Sequence, residues 1–256
     1  MITQLAQLAK VDTLLGKLAT ARFNALLPVN IEVVEKQPDQ RYRLLVGTKP
    51  VETRSEMPLD VGSKYWGVMR EHPQSHAITL SGLLQKPKLL QKSGMVSFLP
   101  DFTPEKLAAV LSEKSPKAQM KLLLLEHMAE AKSKHEFMTL ANMITALNQD
   151  VFTMLLRYGD QKRLFQFKKR RGESETSSQD GMIDFYAAFE HIGPVEGVVE
   201  VHGDIRRMTL YLYYSQSLAF LEQQLPALGF DGRLLPAKKR IAPLYEPVSS
   251  LLDIKG

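Results

Sequence analysis

The first 27 residues, MITQLAQLAKVDTLLGKLATARFNALL, place Ile2, Leu5, Leu8, Val11, Leu15 and Leu18 at spacings of three and four, which predicts one amphipathic helix. From Pro28 the pattern changes. The runs VNIEVVEK, RYRLLVG, KPVETRSEM, KYWGVMREH and HAITLSGLL are separated by QPDQ, GTK, PLDVG and PQS, all rich in residues that turn a chain. Strands at such regular spacing predict a small β-barrel or meander over 28–97. In the second run Tyr42, Leu44 and Val46 share one face opposite Arg41 and Arg43, as in a half-buried strand.

Residues 98–159 read as a helical segment. Thr103 before Pro104 and Ser115 before Pro116 are each a capping residue ahead of a first-turn proline. In a third helix Phe137, Leu140, Ile144, Leu147, Val151, Met154 and Tyr158 form a stripe that ends at Gly159, a natural C-terminal cap. The Leu122–Leu125 run and Met128, Met138, Met143 and Met154 could line an adaptable groove, but ordinary core is the simpler reading.

Residues 160–240 predict a C-terminal α+β domain. It opens on a strand with Leu164, Phe165 and Phe167, followed by a polar loop over 172–180. MIDFYAAFEHI, VEGVVEVHG and RMTLYLYY read as three strands, with HGD between the last two as a hairpin signal. A helix from Ser215 then places Leu218, Leu221, Leu225 and Leu228 on one side and stops at Gly229; the strand RLLPAK and an extended tail over 241–256 follow. The whole is an α+β chain: N-terminal helix over 1–27, small barrel-like domain, helical segment, and a hairpin sheet packed on a helix.

Composition narrows the function classes. With 256 residues and 44% hydrophobic side chains, the chain can fill real cores. The net charge of +5 permits an acidic protein partner, nucleic acid or an anionic surface without choosing among them. Cysteine is absent, which removes disulfides, thiol nucleophiles and thiolate metal sites. Lys10, Asp12 and Lys17 interrupt any apolar core in the first segment, so neither a signal peptide nor a membrane anchor is expected there. Lys168, Lys169, Arg170 and Arg171 form the densest basic cluster. It could meet phosphates or a carboxylate-rich protein surface.

Chemistry has weaker candidates. Glu190, His191, Glu196, Glu200, His202 and Asp204 crowd the stretch HIGPVEGVVEVHGD and its flank. Glu196, Glu200, His202 and Asp204 share one strand parity, opposite Val195, Val199 and Val201, which is the pattern of a wet face and a core face. Catalysis and metal binding need such groups to converge on one point. His72, His76, His127 and His135 are scattered, and no phosphate loop, dinucleotide turn, zinc helix or nucleophile elbow occurs. No catalytic residue, metal or cofactor is therefore expected. A barrel could bind nucleic acid through Tyr42, Tyr65, Trp66, Arg41, Arg43, Lys64 and Arg70. Tyr65 and Trp66 are adjacent, however, and must face opposite ways.

The region from Met182 to Lys238 resembles the C-terminal domain of the flagellar hook-length control protein (FliK-like) family. IGPVEGVVEVHG, RMTLYLYY and LEQQLPAL supply that family's Leu-Gly step, Val-rich strand, alternating second strand and Leu-x-x-x-Leu-Pro-x-Leu helix, in order. Ile192 and Gly193 stand at the step, and Leu221, Leu225, Pro226 and Leu228 in the helix. PLDVG is similar to the turn of a small barrel that relatives carry upstream. Leu218 stands where many relatives have an arginine, and the chain lacks the family's long Pro- and Gln-rich ruler segment.

The resemblance implies a non-enzymatic, cytoplasmic assembly factor, itself a candidate for export through the flagellar type III apparatus. Its C-terminal domain would dock on the cytoplasmic domain of the export gate, and hook or hook-cap subunits are further partners the family admits. No small-molecule substrate and no membrane insertion are implied. The expected contacts are Ile192, Gly193, Pro194 and Val195, with Lys168, Lys169, Arg170 and Arg171 as a steering patch. Nucleic-acid binding through the barrel is the alternative.

Overall fold

In the computed structural model of the chain, which describes residues 7–13, 27–55, 57–71, 78–91, 99–158, 161–170, 181–202, 205–226 and 232–247, helices and two β-sheets form an α+β architecture. The N-terminal helix α1 (residues 7–13) buries Leu8 and Val11, as its stripe requires, and Ile2, Leu5, Leu15 and Leu18 lie outside the described residues.

The five runs after Pro28 are strands: β1 (Val29–Lys36), β2 (Arg41–Val46), β3 (Lys49–Arg54), β4 (Lys64–Glu71) and β5 (Ile78–Gln85). They pair antiparallel in the order β3-β2-β1-β4-β5. This corrects the expected barrel: among the described residues the sheet stays open, with β3 and β5 at its edges. Edge strand β3 explains part of this, because Pro50 has no N–H to donate and Lys49, Glu52 and Arg54 are exposed, features that discourage further pairing.

One face of this sheet closes a small core of Ile31, Val33, Tyr42, Leu44, Val46, Leu59 and Tyr65. The loop before β4 is held over it by backbone N–H donation from Leu59 to the Tyr42 hydroxyl and from Asp60 to the Tyr65 hydroxyl, each 3.2 Å. Trp66, one residue on, faces the other way. It joins Val68 and Leu84 in the large core that continues beneath the second sheet.

The second sheet has seven strands in the order β12-β11-β10-β9-β8-β7-β6. Its centre is an antiparallel meander of β7 (Val151–Tyr158), β8 (Gln161–Arg170), β9 (Gly181–Ala188), β10 (Pro194–His202) and β11 (Ile205–Leu212). A parallel strand flanks it on each side, β6 (Asp101–Phe102) beside β7 and β12 (Gly232–Pro236) beside β11. Parallel neighbours need a crossover, and helices supply both. Helices α3 (Pro104–Ser112), α4 (Pro116–Ala129) and α5 (Lys134–Asn148) separate β6 from β7, and α6 (Ser215–Gln224) separates β11 from β12. A short helix, α2 (Lys88–Gln91), follows β5.

Helix starts follow the capping signals. Thr103 accepts from the Lys106 N–H at 3.4 Å, and Ser133 caps α5 by accepting from Glu136 at 3.2 Å, whereas Ser115 stands at the N-cap of α4 without that bond. The helical segment, however, ends at Asn148 and not at Gly159. Asp150 takes φ 63° and is held by Lys117 at 2.6 Å, and Val151–Tyr158 continues as β7. Val151, Thr153, Met154, Leu155 and Leu156 are buried on both faces of that strand. A strand covered on both sides reads as a continuous apolar run, which a helical period of three and four also fits.

Register across the sheet sets its two faces. Gly197 of β10 stands directly opposite Phe185 of β9, and the ring occupies the space a side chain there would need, 2.1 Å from an ideal Cβ. Phe185 is fully buried, so it has little room to yield. Gly197→Ala is expected to destabilise the fold by about 1–3 kcal/mol through overpacking. Urea denaturation measures this, and an unchanged midpoint would mean that the ring moves freely.

Candidate functional site

The turn between β9 and β10, residues 189–193, sits where the two sheets meet, and side chains from five other elements or their flanks hold it. Asp12 of α1 is the central one. Its carboxylate accepts from the backbone N–H groups of Glu190 (3.4 Å), His191 (2.7 Å) and Ile192 (3.3 Å), and from Arg163 Nε of β8 at 2.8 Å. The Asp12 and Arg163 side chains are 0% and 2% exposed, so this is a fully buried ion pair. Arg163 Nη2 also donates to the Thr13 hydroxyl at 2.7 Å.

The other ties are neutral. Trp66 Nε1 of β4 donates to the Phe189 carbonyl at 2.8 Å, and Ser217 of α6 donates to the Ile192 carbonyl at 2.8 Å. Gly193, at φ +87°, brings the backbone against the Tyr214 ring, 2.7 Å from where a Cβ would stand; a side chain would be both strained and obstructed. The Tyr214 hydroxyl then reaches the Gly82 carbonyl of β5 at 3.0 Å. Burial pushes the Tyr214 phenol well above its ordinary pKa, so it remains a donor.

Beside the turn lies a cleft of about 320 Å³ lined by residues from both sheets, among them Asn30, Lys64, Trp66, Lys86, Leu90 and Glu190. Asn30 of β1 donates to Glu190 Oε1 at 2.8 Å and accepts from the Lys86 ammonium. That ammonium stands 5.2 Å from the centroid of the Trp66 ring. Burial lowers the Lys86 pKa to about 8, opposed by the Glu190 carboxylate and reinforced by Lys64. Lys86 is thus a half-buried amine that titrates just above neutrality. The cleft offers charge, but its aromatic residues are buried and the acids lining it are engaged by neighbours.

The residues singled out from the sequence fall into two groups. Ile192, Gly193, Pro194 and Val195 are buried, and Ile192 and Val195 belong to the large core. As folded they cannot meet a partner, which corrects the docking role expected of them: their plain side chains are packing, and their backbone is what Asp12 and Ser217 grip. Lys168, Lys169 and Arg170 are exposed at the end of β8, and Arg171 lies outside the described residues. Glu196 and Glu200 are half-buried on the face opposite the buried Val195 and Val199, His202 is exposed at the strand end, and Asp204 lies outside the described residues. Glu196, Glu200 and His202 are strung along β10 and do not converge. Among the described residues no group of three His, Cys, Asp or Glu could hold a metal. Tyr42, Tyr65 and Trp66 are all buried, so the five-stranded sheet offers none of them for stacking bases.

Asp12 and Arg163 were missed, although both carry a signal. Asp12 falls four residues after Leu8, on the apolar side of the helix, and Arg163 shares strand parity with Phe165 and Phe167. A charge on each of two core faces is what a buried pair requires. Lys86, Asn30 and Ser217 carry no comparable signal.

Comparison with protein-family models, with curated proteins and with solved structures finds no match to this chain.

Removing Asp12 leaves a buried guanidinium and three backbone donors without their acceptor. Asp12→Ala is expected to cost about 3–5 kcal/mol in chemical denaturation. The apolar pair Asp12→Leu with Arg163→Met should recover only part of this, because the N–H groups of residues 190–192 remain orphaned; full recovery would reduce Asp12 to an ion-pair partner. Lys86 gives a pH signature. Between about 8 and 10.5 the unfolded chain holds a proton that the folded chain has released, so this group makes stability rise with pH through that window. The Tm advantage of Lys86→Met over the parent should therefore be largest below pH 8 and shrink towards 10.5, and a flat difference would show an ordinary lysine.

Proposed function

We propose that this chain is a non-enzymatic docking protein of flagellar assembly, a short FliK-like factor acting on the cytoplasmic domain of the export gate. Two things support the reading. The strand, turn, strand and helix of the Met182–Lys238 resemblance correspond to β10, β11 and α6, in that order. Glu196, Glu200 and His202, three of the groups that could have made an active site, lie spread along β10.

The observation that carries the docking mode is the basic end of one sheet face. Register aligns Lys168 with Asp184, Val198, Thr209 and Arg233, and Arg170 with Met182, Glu200 and Arg207, so Lys168, Arg170, Arg207 and Arg233 share that face. All four are exposed. Asp184 holds Arg170 through two bonds of 3.0 and 2.5 Å, which fixes one guanidinium and leaves Lys168, Arg207 and Arg233 to face a partner. This moves the contact surface from Ile192–Val195 to the sheet end. Cations arranged so attract a carboxylate-rich protein surface and set its approach. The nucleic-acid alternative shares the charge, but Tyr42, Tyr65 and Trp66, the aromatics expected to stack bases, are buried.

The purified protein is expected to bind the isolated cytoplasmic domain of the gate in a salt-dependent manner. Lys168→Glu combined with Arg233→Glu should weaken this about tenfold, or about 1.4 kcal/mol, with unchanged Tm. Deletion of the gene should alter hook length or filament formation. Normal hooks and filaments, or binding to single-stranded nucleic acid in place of the gate domain, would reject the proposal.

A further inference from the structure

Helix α4 is apolar on two sides. Met120 and Leu124 point into the large core, and Leu123 and Met128 pack against it. On the other side Ala118, Leu122, Leu125 and Ala129 are exposed, with Leu122 at 54% and Leu125 at 41%. Those four positions recur at spacings of four, three and four. Helical geometry puts them in one stripe roughly opposite Met120 and Leu124. An outward stripe with this spacing is the seam of a two-stranded coiled coil, with Ala118 and Leu125 at one core position and Leu122 and Ala129 at the other.

The charges beside the seam say what fits it. Lys121 precedes Leu122 and Glu126 follows Leu125, on opposite flanks and five residues apart. Both are exposed, and neither side chain makes a hydrogen bond or ion pair among the described residues. In a parallel pair of identical helices, a residue on one flank meets the residue five positions later on the opposite flank of its mate. Lys121 of each copy then faces Glu126 of the other, giving two ion pairs by symmetry. In an antiparallel pair equivalent flanks meet instead, which brings Lys121 towards Met128 and Glu126 towards Gln119 and makes no such pair.

We propose that the exposed face of α4 binds a second copy of this chain, forming a parallel, two-fold symmetric coiled-coil dimer. The seam is short, about 21 Å for 14 residues, so the association is reversible and on the order of micromolar or weaker. It rests on α4 alone and is independent of the flagellar reading.

Sedimentation equilibrium of the full chain should show a concentration-dependent dimer. Leu122→Glu should weaken it by at least about tenfold while the circular dichroism spectrum stays unchanged, since the side chain is exposed in the monomer. Lys121→Glu and Glu126→Lys should each weaken the dimer, and the double exchange should restore it. Because the chain has no cysteine, Ala118→Cys reports orientation directly: mild oxidation should link two copies, since Ala118 faces itself only in the parallel pair. A monomer at all accessible concentrations, a dimer indifferent to Leu122→Glu, or a seam dimer that Ala118→Cys does not cross-link would each overturn the proposal.

Discussion

The carboxylate of Asp12 is the point on which the described parts of the molecule converge. It leaves water completely, and such a move is tolerated only when charge and hydrogen-bonding capacity are both met inside. Arg163 meets the charge, and three consecutive backbone N–H groups at residues 190–192 occupy the remaining lone pairs. One side chain thereby joins α1, β8 and the β9–β10 turn. Because the turn is also gripped by Trp66, Ser217 and Tyr214, its position fixes how the five-stranded sheet and α6 lie against the seven-stranded one.

This arrangement gives polar groups in and beside the stretch HIGPVEGVVEVHGD structural partners. Glu190 binds Asn30, the N–H groups of residues 190–192 bind Asp12, and Glu196 and Glu200 stand on the wetter face of β10. The apolar residues between them are interior. What the described residues leave outside is different in kind: a cationic sheet end built from three strands, and a helix whose second apolar side is exposed. These are the two surfaces from which a docking partner and a second copy are proposed.

Much of the local structure was legible from periodicity. Alternation in RYRLLV placed Tyr42, Leu44 and Val46 in the core, and adjacency alone sent Tyr65 and Trp66 to opposite faces, which the structure shows as two separate cores. Two readings failed where burial was two-sided or edges mattered. The run from Val151 fits a helical stripe and a doubly covered strand equally well, and the choice was made by Asp150 and by pairing with β8. Regular strand spacing suggested closure into a barrel, but closure depends on the outer strands, and Pro50 sits on one of them.

The chain's own pattern determined which residues turn inward and which outward within each element, because that follows from the fixed periods of helix and strand. It also showed, for those who look at parity, that Asp12 and Arg163 carry charge on core faces. Only the tertiary structure decided what they are for. Asp12 reaches backbone groups about 180 residues away, and no local period encodes which turn will arrive there. The same reason moved Ile192–Val195 from surface to interior: a short apolar run at a strand entry looks alike whether it awaits a partner or is already covered by the rest of its own chain.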